Sequence, residues 1–155
     1  MEIKNHLVKL GLSFKEFKHL PVYTCEEAER YNQDIKGIHS KNLFIKDKKS
    51  KIFYLVILPA SKQLDMNKLG GLLNDKIKFA NEEDLKNILG LNKGAVSPFG
   101  LINDKENKVQ IVIDKEVWNS EFVGFHPNIN TETLELTKED FHKFIKSLKN
   151  KLIII

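Results

Sequence analysis

Three short stretches of the chain carry residue types that can position a substrate or stabilise developing charge. The first is a loop, Gly94-Ala-Val-Ser97-Pro98-Phe-Gly100, in which two glycines surround a proline. Glycine lets the backbone approach a ligand closely, and proline fixes the shape of the loop. Exposed amides in such a loop can hold a carbonyl oxygen or an oxyanion. An ordinary turn before a strand is the alternative interpretation.

The second stretch is Gly124-Phe-His126-Pro127, where a histidine follows a strand and precedes a proline. An imidazole at the end of a strand can face a cleft and bind a hydroxyl group or a water molecule. A solvent-facing loop histidine would have the same local sequence.

A third candidate is Lys41, within His39-Ser-Lys41-Asn42, at the start of a predicted strand. Its ammonium group could neutralise a terminal phosphate or orient a substrate by charge. Lysine is abundant in this chain, so its presence at one position is weak support for a function. None of the three stretches decides the function by itself.

Motifs for metal, nucleotide and nucleophilic chemistry are absent from the sequence. It contains no Gly-x-Gly-x-x-Gly, no Gly-Lys-Ser/Thr phosphate loop, no His-Glu-x-x-His and no Gly-x-Ser-x-Gly. The single cysteine, Cys25, is interpreted as a buried residue. We therefore expect neither a metal nor a cofactor. The histidines share no ligand spacing; they are at positions 6, 19, 39, 126 and 142.

Hydrophobic periodicity predicts the elements that would hold these residues. Residues 41–46 and 52–58 predict a β-hairpin, and the second arm is apolar throughout, which is typical of a strand covered on both faces. Thr24 begins a capping-box pattern that predicts a short helix to about Tyr31. Leu101-Ile102 is interpreted as a strand.

The same patterns predict further strands and helices along the chain. The helices end at glycine or begin at Asn or Thr caps, and the strands are short. The predicted strands cover residues 12–18, 77–79, 109–113, 122–125 and 133–136, and the predicted helices begin near residues 3, 64, 81 and 137. There is no βαβ rhythm and no repeat. We expect residues 1–155 to form one α+β domain on a mixed or mainly antiparallel sheet.

Charge and hydropathy limit the possible partners. The chain has 25 basic and 21 acidic side chains, a net charge of +4, and Arg30 as its one arginine. Lysine-rich surfaces suit a phosphate backbone better than bidentate readout of base edges. No apolar stretch reaches the length of a membrane helix, and the charged N-terminus does not resemble a secretory signal. We expect no membrane partner and a cytoplasmic protein.

The order of the motifs resembles a known family. Lys41-Asn-Leu-Phe-Ile-Lys, then Tyr54-Leu-Val-Ile-Leu-Pro59, then residues 91–100 and Phe125-His126-Pro127 resemble the YbaK/prolyl-tRNA-synthetase-associated editing family. Within it, the chain is most similar to the freestanding alanyl-tRNA(Pro) deacylases. The resemblance implies hydrolysis of the ester that joins a wrong amino acid to the 3′ end of proline tRNA.

The resemblance also implies roles for individual residues. Lys41 matches the lysine that engages the terminal nucleotide, and Gly94 matches the first glycine of a Gly-x-x-x-Pro loop close to the ester. His126 matches a histidine near the substrate in the alanine-directed members. We expect these three residues to be catalytic. Candidate walls of a small substrate pocket are Val22, Thr24, Asn42, Ser97 and Pro98.

The implied partners are the 3′ end of mischarged tRNA(Pro) and prolyl-tRNA synthetase, and we expect the protein to act as a monomer. Lys46, Lys48, Lys49 and Lys51 could contact the acceptor stem without reading bases. Editing of cysteinyl-tRNA(Pro), or of another small amino acid, is an alternative. A non-catalytic tRNA-binding domain of the same fold is another.

Overall fold

A computed structural model gives the fold and describes residues 3–18, 37–129 and 131–155. The predicted helix after Thr24 lies outside the described residues. The helices are α1 (Ile3–Lys9), α2 (Met66–Leu73), α3 (Glu82–Leu89), α4 (Lys115–Trp118) and α5 (Lys138–Ser147), with a 3₁₀ helix at Pro98–Asn103. The strands are β1 (Lys15–Lys18), β2 (Ser40–Asp47), β3 (Phe53–Pro59), β4 (Ile77–Phe79), β5 (Val109–Ile113), β6 (Phe122–Phe125), β7 (Glu132–Thr137) and β8 (Leu152–Ile154).

Five strands form a mixed sheet in the order β4-β2-β3-β5-β8. The predicted hairpin is present, with β2 antiparallel to β3 from the pair Ser40–Pro59 to the pair Lys46–Phe53. Strand β5 runs parallel to β3, and β8 runs parallel to β5. Every residue of β3 is buried, so the prediction of a strand covered on both faces is confirmed.

Three strands form a smaller antiparallel sheet in the order β1-β7-β6. The larger sheet packs against it through one hydrophobic cluster, which includes Leu55, Ile111, Val123 and Leu134. A second cluster covers the opposite face of the larger sheet, where Leu69 of α2 packs against Val56 and its neighbours. The α+β class with mixed and mostly antiparallel pairing is therefore confirmed, but the strands divide into two sheets.

Local capping chemistry explains where the helices begin and end. The Asn81 side chain accepts a hydrogen bond from the Asp84 amide at 2.8 Å, and the Asp84 carboxylate accepts one from the Asn81 amide at 3.2 Å. Gly90 ends the same helix with a φ of +67°, a conformation that favours glycine. None of the helices among the described residues is long and apolar enough to cross a membrane.

The interpretation of Leu101-Ile102 as a strand is wrong. These residues belong to the 3₁₀ helix Pro98–Asn103. Its start is specified locally, because Ser97 accepts a hydrogen bond from the Phe99 amide and Pro98 occupies the first helical position. Leu101 is buried in the cluster between the sheets.

Candidate active site

Lys41 and Asn42 lie at the start of β2, but alternation in the strand directs them to opposite faces. Lys41 pairs with Leu58, which belongs to the cluster under α2, whereas Asn42 pairs with Ile57, which faces the smaller sheet. Both side chains are half-buried. No carboxylate of the described residues forms an ion pair with the Lys41 ammonium group. The Lys46 ammonium group, by contrast, pairs with Asp84.

The start of β2 is held against β6 by a very close backbone approach. Ile38 forms a parallel bridge with Val123, and its amide donates to the Phe122 carbonyl at 3.1 Å. A Cβ atom at Gly37 would lie 3.0 Å from the Phe122 C and O atoms and from Val123 Cα. The two segments run in the same direction from this bridge, and Lys41 and His126 each lie three residues beyond it.

His126 directly follows β6, and its ring orientation is fixed by the backbone. Its Nδ1 atom lies 2.8 Å from the Glu132 carbonyl oxygen, which can only accept a hydrogen bond. Nδ1 therefore carries the hydrogen, and in the neutral ring Nε2 has the lone pair. Such a ring can accept a hydrogen bond from a hydroxyl group or a water molecule at Nε2.

Glu132 in turn is held by an ion pair with α1. The Lys4 ammonium lies 2.7 Å from Glu132 Oε2 and 2.6 Å from Glu16 Oε1. The hydrogen bonds to these two carboxylates raise the pKa of Lys4, so its charge persists across the physiological range. The start of β7, and with it the carbonyl that orients His126, is thus attached to the first helix.

The Gly94 loop reaches the same region through Phe99. The Phe99 ring contacts Phe125, the residue before His126, edge to face at a centroid distance of 6.1 Å. Gly94 has a φ of +91°, a conformation that a side chain would strain, and it is half-buried. The Phe99 end of the loop is therefore fixed beside the strand that presents His126.

Ser97 and Pro98 contribute to the conformation of this loop. The Ser97 side chain is fully buried, and its hydroxyl accepts the Phe99 amide hydrogen bond at 3.0 Å. Pro98 is also buried. Their assignment as pocket walls stays a prediction, as does that of Val22 and Thr24, which lie outside the described residues.

Three buried polar atoms in these elements have no hydrogen-bond partner among the described residues: Ser40 Oγ, Asn42 Oδ1 and Asn128 Oδ1. Leaving such an atom unsatisfied costs about 1–3 kcal/mol, so each of them calls for a ligand or a water molecule. Ser40 and Asn42 lie on the same face of β2, and Asn128 follows Pro127 with a φ of +66°. Amide oxygens accept hydrogen bonds, so the matching ligand group is a donor such as an ammonium or hydroxyl group.

Sequence reasoning missed Gly37, Ser40 and Asn128. A positive φ at Asn128 is weakly signalled by asparagine itself, which tolerates the left-handed region. Nothing in the local sequence marks Gly37, because its role is set by β6, more than 80 positions away. Within the described ranges, no group of three His, Cys, Asp or Glu side chains is arranged to hold a metal ion.

Comparison with known proteins decides the family. The model of the aminoacyl-tRNA editing domain matches residues 19–144. The chain belongs to the aminoacyl-tRNA editing domain family. This membership confirms the resemblance seen in the motifs and makes the protein an enzyme of the aminoacyl-tRNA deacylase class.

Individual relatives cover nearly the whole chain. It is 37% identical over 145 residues to the prolyl-tRNA editing protein ProX of Acetoanaerobium sticklandii, covering 93% of this chain and 88% of that protein. It is 35% identical over 159 residues to the mouse prolyl-tRNA synthetase associated domain-containing protein 1, covering 99% and 94%. A solved structure described as a candidate trans-editing enzyme for prolyl tRNA synthetase superposes with a TM-score of 0.76 at 16% identity, covering 99% and 93%; this likeness shows the shared fold.

Proposed function

We propose that this protein hydrolyses the ester of mischarged tRNA(Pro), with alanyl-tRNA(Pro) as its preferred substrate. Membership of the editing family and the name of the ProX relative support the tRNA class. The observation that carries the proposal is the parallel bridge between Ile38 and Val123, which brings the segment before β2 beside the strand that ends at His126. The Phe99–Phe125 contact attaches the Gly94 loop to the same strand. The preference for alanine rests on the histidine at position 126.

An aminoacyl ester is already activated, so its hydrolysis needs orientation and charge stabilisation more than a protein nucleophile. In the proposed reaction, water attacks the ester carbonyl, and the bond from that carbon to the ribose oxygen breaks. The ribose oxygen takes a proton, and the free amino acid leaves. The vicinal ribose hydroxyl helps to orient or activate the water.

Each candidate residue has a role that its geometry permits. Backbone amides near Gly94 hold the carbonyl oxygen as negative charge develops on it. His126, oriented by the Glu132 carbonyl, orders the water or a ribose hydroxyl through Nε2. The Lys41 ammonium, which has no ion pair among the described residues, neutralises the terminal phosphate.

The unsatisfied atoms suit the aminoacyl group itself. Its α-ammonium has three N–H donors, and Asn42 Oδ1 and Asn128 Oδ1 are acceptors to which no group of the described residues donates. Ser40 Oγ can accept as well. We assign these three side chains to binding the ammonium and ribose donors of the substrate, in a recess too small for the larger correct amino acid.

The test is a panel of tRNA(Pro) charged with alanine, cysteine, serine or proline and incubated with the purified protein. We expect rapid release of alanine and slow release of proline. Faster release of cysteine than of alanine would show that cysteinyl-tRNA(Pro) is the preferred substrate. Retention of all four esters, together with tight tRNA binding, would favour the non-catalytic alternative.

Lys41→Ala separates a catalytic role from a structural one. We expect it to slow alanine release at least tenfold while the melting temperature stays within 2 °C, because a half-exposed lysine without an ion pair contributes little to stability. Lys143→Ala, on the exposed side of α5, is the matched control. Unchanged turnover of the Lys41→Ala variant would remove Lys41 from the site.

Two further assignments follow from this function. The relatives named as prolyl-tRNA synthetase associated suggest that enzyme as a partner in substrate delivery. Editing of mischarged tRNA accompanies translation, which agrees with the expected cytoplasmic location.

A further inference from the structure

A broad groove lies between the β2–β3 turn and α2, remote from the candidate active site. Its cavity is about 950 Å³, and its floor includes Ile52, Met66 and Ile77. Four exposed lysines line it: Lys48, Lys49, Lys51 and Lys76. We call this the lysine groove.

The backbone under the lysine groove is fixed. The Lys48 amide donates to the Lys76 carbonyl at 2.9 Å, which joins the hairpin turn to the segment between α2 and β4. The amides of Lys51 and Ile52 donate to Asp47 Oδ1 at 2.7 and 2.9 Å. The four ammonium groups therefore project from a fixed base.

Both aspartates of the groove are engaged by other groups. Asp47 is buried and accepts the turn amides, and these hydrogen bonds lower its pKa. Asp75 Oδ2 accepts a hydrogen bond from the Tyr54 hydroxyl at 2.8 Å, and Oδ1 accepts the Lys76 amide. Neither carboxylate forms an ion pair with a lysine of the groove.

Unlike the groove lysines, Lys46 forms an ion pair, although the sequence predicted it as a further contact to the acceptor stem. Lys46 is 8% exposed, and its ammonium lies 2.6 Å from Asp84 Oδ2. It is therefore a structural residue of the sheet and not a phosphate contact. The four groove lysines, by contrast, leave an exposed positive surface, which fits a polyanion.

The position of the groove identifies which part of an RNA would reach it. Lys41 and Lys48 are seven residues apart along β2, or about 23 Å at 3.3 Å per residue. Asp47, which lines the groove, lies on the same face of β2 as Lys41. A stacked strand advances about 3.4 Å per nucleotide, so this distance corresponds to about seven nucleotides from the ester.

We propose that the lysine groove binds the sugar-phosphate backbone of the acceptor end of the tRNA, several nucleotides from the ester. This inference rests on the proposed function. Lysines contact phosphates as point charges, so the groove adds affinity without reading bases.

The experiment compares a groove variant with a control variant of equal charge. The groove variant carries Lys48→Gln, Lys49→Gln, Lys51→Gln and Lys76→Gln. The control carries Lys86→Gln, Lys105→Gln, Lys143→Gln and Lys146→Gln, all at exposed positions. Each protein is measured for affinity toward uncharged tRNA(Pro) at several salt concentrations, and for deacylation of alanyl-tRNA(Pro) and of an alanylated four-nucleotide RNA.

We expect the groove variant to bind tRNA at least tenfold more weakly at low salt, and the control to change by less than threefold. Each lost phosphate contact lowers the slope of log affinity against log salt by about 0.7–0.9, so the groove variant should lose a slope of about 3. Deacylation of the four-nucleotide substrate should stay within twofold of wild type, because that RNA cannot reach the groove.

Three outcomes would overturn the inference. They are unchanged tRNA affinity of the groove variant, an equal loss in the control variant, and an equal loss on the four-nucleotide substrate. If the wild-type protein released no amino acid from any substrate, the proposed function would fail, and the affinities would still decide whether the groove binds RNA.

Discussion

Gly37→Ala tests whether the close approach of β2 and β6 sets the geometry of the site. The added Cβ would lie 3.0 Å from three backbone atoms of Phe122 and Val123. Ordinary contacts are 3.4–4 Å, so β6 must move away by about 0.4 Å. Backbone atoms cannot rotate aside as a flexible side chain can. The hydrogen bond from the Ile38 amide to the Phe122 carbonyl would lengthen as β6 moves.

The expected cost follows from this displacement. Overpacking of this kind costs about 1–3 kcal/mol, which lowers the melting temperature of a chain of this size by roughly 2–12 °C. His126 lies three residues beyond Val123 and moves with the strand. Since a misplacement of about 1 Å can cost 10²-fold in rate, a shift of about 0.4 Å should cost roughly fivefold to tenfold in kcat/KM.

The assay measures release of alanine from alanyl-tRNA(Pro) at a temperature well below both melting transitions. Gly71→Ala is the matched control, because a Cβ at Gly71 in α2 meets no atom within 4 Å and, although Gly71 lines the lysine groove, the change removes none of its lysines. In that helix alanine should stabilise the protein by about 0.5–1 kcal/mol and leave turnover unchanged. A Gly37→Ala variant with wild-type stability and turnover would refute the reasoning, as would an equal loss in Gly71→Ala.

Three further variants test other parts of the structure. His126→Asn keeps a donor for the Glu132 carbonyl but removes Nε2, so kcat/KM should fall by about 10²-fold or more with little change in melting temperature; retained turnover would make the ring structural. Lys46→Met breaks the pair with Asp84 and should cost about 1–3 kcal/mol in urea unfolding, without weakening tRNA binding at temperatures where the variant is folded. The turn amides hold the pKa of Asp47 below its ordinary value, so its stabilisation is complete at neutral pH and is lost as pH falls below about 4. Asp47→Asn, whose side chain does not titrate, should therefore lose less stability than wild type between pH 6 and pH 3 in urea unfolding; equal losses would show that this carboxylate does not contribute.

Elements specified by local chemistry were predictable from the sequence. Helix α3 has both its cap at Asn81 and its stop at Gly90 in the sequence, and β3 is apolar at nearly every position. The 3₁₀ helix after Ser97 was not predicted. The apolar pair Leu101-Ile102 favoured a strand, although Ser97-Pro98 is a signal for the start of a helix. The parallel pairing of β8 depends on a distant strand, and a short apolar tail does not specify it.

The candidate site likewise has residues that the sequence indicates and residues that only the fold reveals. Lys41, Gly94 and His126 stand out because their residue types and neighbours suggest chemistry. The close approach at Gly37 depends on residues far away in sequence, so no local pattern signals it. The unsatisfied oxygen of Asn128 is recognisable only when the burial of each atom is known. Sequence therefore names candidate groups, and the fold determines which of them share a surface.

Strand β2 connects the two ends of the proposed substrate path. Lys41 lies at its start, and the lysine groove lies at its other end. Pairing with β3 and β4 fixes the register of the strand between them. A slip of one residue would move Lys41 to the other face, so the register sets both the direction and the distance from the ester to the groove. Binding energy gained at a remote part of a substrate can be used to orient its reacting end. Phosphate contacts about 23 Å away would then raise turnover as well as affinity. In the proposed complex the RNA contacts both ends of β2, and the ester lies at the Lys41 end, where water reacts with it.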